Sequence, residues 1–391
     1  MRDRAVIIAS AVLVRLLCLA LFDPASSLVS GDSAAFLAGS ATQAPGYPAF
    51  LAVTGPVALL IQSAMTIGVA LLAQSRLPRG GRLAALLIVS SPFIVAFEYR
   101  ILSDTLAWQL VFAAFLLIIF PRAKWEIVLA GVLLGCAALV RDTYQWLPLF
   151  ALPFAFAQQK GKSMALAAAI AFLVLLPWQL SQGRASISEG RMGYNLWVGT
   201  WERNNDWMAK GIDQADYPPG AFSSPAQQQW LLEKPLFSRH SDQRFRAAAL
   251  DRIRSAPLET AATWALRYPR LWLGTRTDQI AWRLDSGPLW YGLKGGLWAL
   301  NLFCLGLGAI GIFLCWRRYP LFLAPVLYVA LVYVPFHNTE TRYSLGALPF
   351  LLIFAGLAAK QALGGHAIAI ANKRFDTFRK RLGRSSQLAD H

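Results

Sequence analysis

The segment Val29-Ser30-Gly31-Asp32-Ser33-Ala34-Ala35-Phe36 follows the first long apolar run and carries an acid where a purely structural membrane loop needs none. A carboxylate there suits a general base, and Gly-Asp-Ser ahead of an apolar stretch equally suits a helix N-cap. Side chains able to do chemistry recur at Tyr47, Glu98, Arg100, Asp104, Arg141, Asp142, Tyr144 and in the run His337-Asn338-Thr339-Glu340-Thr341-Arg342-Tyr343. Asp104 follows Ser103 at the head of an apolar run, where a helix cap is again natural. Arg100 and Arg342 also fit as interfacial residues that lay their stems along apolar surface. Arg141 and Asp142 are placed to pair with each other. Arg15 sits deep in the first apolar run, where a structural ion pair and a contact to a charged head group are both open. His337 fits an interfacial hydrogen-bonder better than a metal ligand.

The elements that must position these residues are apolar helices. Of 391 residues, 56% are hydrophobic and 15% charged, against roughly a half and a quarter in soluble domains. Apolar runs approaching the ~20 residues of a membrane span recur along the chain. The expected fold class is therefore an all-α polytopic membrane protein of about ten spans with interfacial helices in the outer loops. The expected spans are 5–22, 46–73, 83–97, 102–120, 126–140, 146–157, 163–180, 287–315, a run ending at Pro335, and 345–359. The runs 126–140 and 146–157 are short for full crossings.

Net charge is +16, and its placement argues against nucleic acid. Arg2 and Arg4, then Arg76, Arg79 and Arg82, then Arg122 and Lys124, Lys160 and Lys162, and Arg317 and Arg318 occupy alternate connections, which the positive-inside rule assigns to the cytoplasm. The tail basic residues Lys373, Arg374, Arg379, Lys380, Arg381 and Arg384 favour anionic membrane lipids. The first outer loop, 23–45, then faces the extracytoplasmic side of a cell (inner) membrane, as do Arg100, Arg141 and the 337–343 run. The expected organisation is a 1–180 transmembrane module, a 181–285 extracytoplasmic membrane-associated region, a 286–360 transmembrane module and a 361–391 cytoplasmic tail. Within 181–285, Arg244–Arg254 spaces Phe245, Ala249 and Ile253 four apart among arginines, the pattern of an interfacial amphipathic helix. Charges at or just within the bilayer cost on the order of 2.5–3.5 kcal/mol each, so acids and bases gathered on one face should pair or contact a ligand.

Cys18, Cys136, Cys304 and Cys315 show no paired spacing. No Walker loop, dinucleotide fingerprint, zinc-protease motif or nucleophile elbow is present. No cofactor is indicated; a divalent cation on the outer carboxylates stays open, without a spacing that marks one.

The order of features resembles the GT-C superfamily of integral-membrane glycosyltransferases that use polyprenyl-phosphate sugars, including relatives of protein O-mannosyltransferases and aminoarabinose transferases. The resemblance rests on Arg15, Gly31-Asp32-Ser33, Gly46-Tyr47-Pro48, Pro92, Leu102-Ser103-Asp104-Thr105-Leu106-Ala107, Leu139-Val140-Arg141 and Glu340-Thr341-Arg342-Tyr343, over most of residues 1 to 355. It implies Asp32 and Asp104 as catalytic acids, with Arg15, Tyr47, Arg100, Arg141, His337, Glu340, Arg342 and Tyr343 toward the donor phosphate and substrate. It implies a polyprenyl-phosphate-sugar donor and a glycan, lipid or protein acceptor. Two departures stand out. Ala44-Pro45-Gly46-Tyr47-Pro48 replaces the His-and-acid segment of some members, and the large carboxy-terminal soluble domain of several members has no counterpart. A lipid-sugar flippase or a non-enzymatic assembly protein are the rival readings. The topology predicts that a cysteine placed beside Asp32 reacts with an impermeant thiol reagent added outside; reaction only from the cytoplasmic side overturns the orientation.

Overall fold

The computed structural model describes residues 2–23, 33, 36–37, 44–77, 80–182, 190–200, 230, 238–274, 282–284, 287–336 and 341–362. These are overwhelmingly helical, with no β-strand beyond one isolated bridge between Phe22 and Trp282. Asp32, His337 and Glu340 lie outside the described residues, as does the basic tail.

Each of the expected apolar runs is helical. α1 spans Arg2–Leu21, α2 Gly46–Thr54 and α3 Ala58–Arg76. Gly55 at φ +55° and Pro56 interrupt the last two with a single 3-10 turn. α4 (Gly81–Val89) and α5 (Pro92–Glu98) are bent by 51° at Ser90-Ser91, where Pro92 has no amide proton to continue the ladder. α6 covers Ser103–Ile119 and α7 Trp125–Val140. The next run is divided at Ala151, just ahead of Pro153, into α8 (Leu147–Phe150) and α9 (Leu152–Ala157), each with a proline in its first turn. α10 (Gly161–Gln182) carries Pro177. Beyond the outer segment come α14 (Pro288–Cys315), α15 (Pro320–Phe336) and α16 (Leu348–Ala362).

Four helical stretches, α1, Gly46–Arg76, α10 and α14, are long and apolar enough to cross a membrane, and α4 with α5 makes a fifth if the bent pair is one span. α6, α7, α15 and α16 are apolar but shorter. These helices are compatible with a membrane protein.

The 181–285 segment supplies α11 (Met192–Thr200), α12 (Arg239–Ser255) and α13 (Pro257–Leu273). Ser238 caps α12 by accepting from the Ser241 amide at 3.1 Å. α12 coincides with the expected amphipathic helix, but Phe245 and Ala249 are buried against Tyr194 and Trp197 of α11 instead of facing outward.

The main core gathers around α6, whose sides are buried almost throughout, between α3, α7, α15 and α16. α7 lies against α10 through Gly131 and Gly135, where a Cβ would fall 2.7 Å from the Ile170 side chain and 2.6 Å from that of Val174. This small-residue spacing lets two backbones approach without hydrophobic drive from water. Arg15 is resolved as a structural ion pair: it donates to Glu98 at 2.7 Å, with the other Glu98 oxygen accepting from Ser63 Oγ at 2.8 Å. Both side chains are nearly or fully enclosed, and removing one partner of such a pair costs about 3–5 kcal/mol. Arg15→Leu should accordingly lower the unfolding temperature of purified protein sharply, while Arg15→Leu with Glu98→Leu recovers most of the loss; equal losses in single and double variants would exclude coupling.

Candidate active-site cleft

Asp104 stands in the first turn of α6 and Arg141 at the carboxy-terminal cap of the neighbouring α7. The helix dipoles favour an acid at the first place and a cation at the second. Arg141 adopts an extended backbone (φ −146°, ψ 111°), which ends α7 and turns its side chain toward α6. There Nη1 donates to Asp104 Oδ2 at 2.9 Å and to Ser103 Oγ at 3.2 Å. Gly46 makes room for this end of α7. A Cβ on it would lie 2.7–2.8 Å from the backbone of Leu139 and Val140, so α2 can press against the turn just before Arg141.

The remaining edge of the guanidinium belongs to α15. Arg141 Nε donates to Tyr333 Oη at 2.7 Å, leaving the phenolic proton free for Thr143 Oγ1 at 3.1 Å. Thr143 lies in the 3-10 turn Asp142–Tyr144, and its carbonyl accepts from Tyr328 Oη of the same helix. The 3-10 segment Thr341–Gly346 then lays Tyr343 flat on Tyr333, with centroids 4.5 Å apart and planes 3° off parallel. Arg342 Nη2 donates to Tyr343 Oη at 3.2 Å, and the Arg342 and Arg141 guanidiniums stand 5.0 and 5.5 Å from that ring's centre. Ring quadrupoles and the Asp104 carboxylate thus share the task of accommodating two neighbouring cations.

These groups open on a cleft of about 90 Å³ lined by Ser103, Asp104, Arg141, Asp142, Thr143, Arg342 and Tyr343, with Arg191 and Asn195 from the outer segment. On a measure where one water needs about 10–15 Å³, it has room for several waters or a small polar group. Its described walls carry three arginines against two aspartates. Burial works to lower the Arg141 pKa, but Asp104 and the two tyrosines outweigh it and hold the guanidinium charged. Burial pushes the phenol of Tyr144 upward, so it stays protonated.

Described residues of the 23–45 loop reach the same place. Phe36 and Ala44 line the cleft, and Ser33 Oγ, beside Asp32 in the chain, donates to the Ile101 carbonyl at 2.8 Å. Tyr47 stands behind Phe36, edge to face at 5.0 Å, with its hydroxyl accepting from Gln62 Nε2 at 3.2 Å. Asp104, Arg141, Arg342 and Tyr343 are therefore brought together, whereas Arg15 is committed to Glu98, and Arg100 is buried without lining the cleft.

Sequence reasoning missed Tyr333, Thr143, Arg191 and Asn195 as site residues. Tyr333 carried a readable signal, a hydroxyl inside an otherwise apolar helix that must find a partner. Arg191 and Asn195 are delivered by α11, which is fixed at both ends. Its Gly193 amide donates to Asp242 Oδ1 at 2.6 Å, and its last carbonyls accept from Arg267 and Trp264 of α13. Among the described residues no three His, Cys, Asp or Glu side chains gather as for a metal ion.

Tyr333→Phe deprives Arg141 Nε of its acceptor and should destabilise the protein by about 1–3 kcal/mol. Thermal unfolding reads this directly, and an unchanged melting temperature would show that the phenol is dispensable to the cluster. No protein-family model matches this chain, and no curated protein does.

Proposed function

We propose that the chain is a glycosyltransferase of GT-C type, moving a monosaccharide from a polyprenyl-phosphate donor to an acceptor at the extracytoplasmic face of the cell membrane. In this reading the fold carries about ten spans and the cleft opens outward. The observation that supports it best is the convergence of Asp104, Arg141, Arg342 and Tyr343, from separate elements, on the cleft that Phe36 and Ala44 of the first outer loop also line.

The chemistry matches those residue types. The acceptor oxygen attacks the anomeric carbon, its proton passes to the Asp32 carboxylate, and the bond from that carbon to the donor phosphate breaks with its electron pair leaving on the phosphate oxygen. Attack opposite the leaving group inverts the anomeric centre. The phosphate needs cations and hydroxyl donors, which Arg141, Arg342 and Tyr343 supply in a preorganised, partly enclosed site. Asp104 serves this reading as the holder of Arg141, to which it is bonded at 2.9 Å. The donor phosphate is itself a good leaving group, so no second acid is required. The extracytoplasmic helices, through Arg191 and Asn195, border the sugar or acceptor side.

The test is sugar transfer from polyprenyl-phosphate donors by purified protein in liposomes. Asp32→Asn should lower the rate by about 10²–10⁴-fold and Arg141→Ala by about 10²–10³-fold. An undiminished rate in Asp32→Asn removes the general base, and donor crossing the bilayer without a covalent product reverses the reading in favour of a transporter.

A further inference from the structure

α13 is built inside out. Its buried positions include Thr260, Thr263 and Arg267, while Leu258, Leu266 and Leu273 stand exposed, the first two by 84% and 61%. At about 100° per residue, Leu258, Ala261, Ala265, Leu266, Pro269 and Leu273 fall on one broad arc. Glu259 and Arg270 stand at its edge. A helix washed by water on that side would show the opposite arrangement, as α12 does with Arg239, Gln243, Arg246 and Arg254 outward and Phe245 inward.

The inner polar side chains bond to backbone carbonyls of the protein. Thr260 and Thr263 return their protons to Ala256 and Glu259 carbonyls at 3.0 and 2.9 Å, and Arg267 donates to the Gly199 carbonyl at 2.8 Å. The far end of α13 is more telling. Asn301, fully buried, donates through Nδ2 to the carbonyls of Trp272 at 2.8 Å and Gly274 at 3.1 Å. Those are helix-end carbonyls that water ordinarily serves. Asn301 lies midway along the 28-residue α14, about 20 Å from either end at 1.5 Å per residue. A hydrogen-bond donor placed there for another helix's terminus is what hydrocarbon demands of backbone that stops inside it.

We propose that α13 is a re-entrant helix, descending from the outer surface to about the depth of Asn301 with its exposed apolar arc against lipid acyl chains. The occupant of that face is the bilayer itself: α14, which meets the end of α13 through Asn301, is a helix long and apolar enough to cross a membrane and likewise leaves Phe303, Ile310 and Phe313 open. The inference stands independently of any sugar chemistry. It does bear on the cleft, because Arg267 and Trp264 hold the carboxy-terminal end of α11, the helix that carries Asn195 and follows Arg191.

Spin labels at Leu258, Leu266 and Leu273, introduced one at a time into protein with its four cysteines changed to serine and placed in phospholipid vesicles, measure this. Oxygen accessibility relative to a water-soluble nickel chelate should rise steadily from 258 to 273. High nickel accessibility at all three positions would put the helix in water, and equal depth at all three would lay it flat on the surface; either result overturns the proposal. Photoreactive side chains at the same positions in protein with its native cysteines give a second reading. Crosslinks to phospholipid at 266 and 273 support re-entry, whereas crosslinks to a second copy of the chain would mean that protein covers the face.

Discussion

The guanidinium of Arg141 divides its donors between two helices and stands beside a third element. Ser103 and Asp104 of α6 take one edge, Tyr333 of α15 takes Nε, and Tyr343 lies within 5.5 Å. A charge so enclosed is tolerable only when its partners are in place, because an unpaired guanidinium in low dielectric costs far more than the pair returns. The cluster therefore acts as a check on assembly: α6, α7 and α15 and the 341–346 turn must reach one point together. Tyr343 stacks flat on Tyr333, whose hydroxyl bonds both Arg141 Nε and Thr143 Oγ1, and so packs that ring against the cluster.

What lets the elements meet is mostly the absence of side chains. Gly46 allows α2 to touch the last residues of α7, and Gly131 with Gly135 lets α10 close on the same helix from another side. α7 is thus held near its middle and at its end, and Arg141 emerges from a rigid terminus instead of a free loop. The buried pair of Arg15 and Glu98 performs a similar service for α1 and α5, away from the cleft. Among the described residues, buried charge has two uses: the pairs Arg15–Glu98 and Arg76–Glu126 fasten helices in the interior, and Arg141–Asp104 fastens helices and also presents a cation to an opening.

The sequence was legible where one residue's type decides its surroundings. Long apolar runs marked the helices, because a run's hydropathy does not depend on distant partners, but the breaks inside 83–97 and 146–157 went unread. Asp104, Arg141, Arg342 and Tyr343 stood out as polar groups at apolar run ends, and they do line one cleft. Pairing was not legible: Asp142 is adjacent to Arg141 in the chain, yet Asp104 takes the ion pair, since the helix cap aims the Arg141 side chain at α6. Arg15 offered two equally reasonable fates, and only the bend between α4 and α5 brings Glu98 to it. Tyr333 showed that its hydroxyl needs a partner, but not that the partner is Arg141, nearly two hundred residues earlier in the chain.

The outer segment shows why charge pattern alone misleads. Arg244–Arg254 reads as amphipathic and so does α13, but the two present opposite faces. α12 keeps its arginines outward and buries Phe245 in an aromatic nest, while α13 buries Arg267 and turns leucines out. Periodicity reports that a helix has two faces; it does not say which face meets protein. The deciding fact is tertiary, namely that α11 lies between them with one terminus needing an acceptor from Asp242 and the other a donor from Arg267. Once α11 is fixed in that way, the passage from α12 to α13 at Ser255–Pro257 is also a passage from a polar to an apolar exterior.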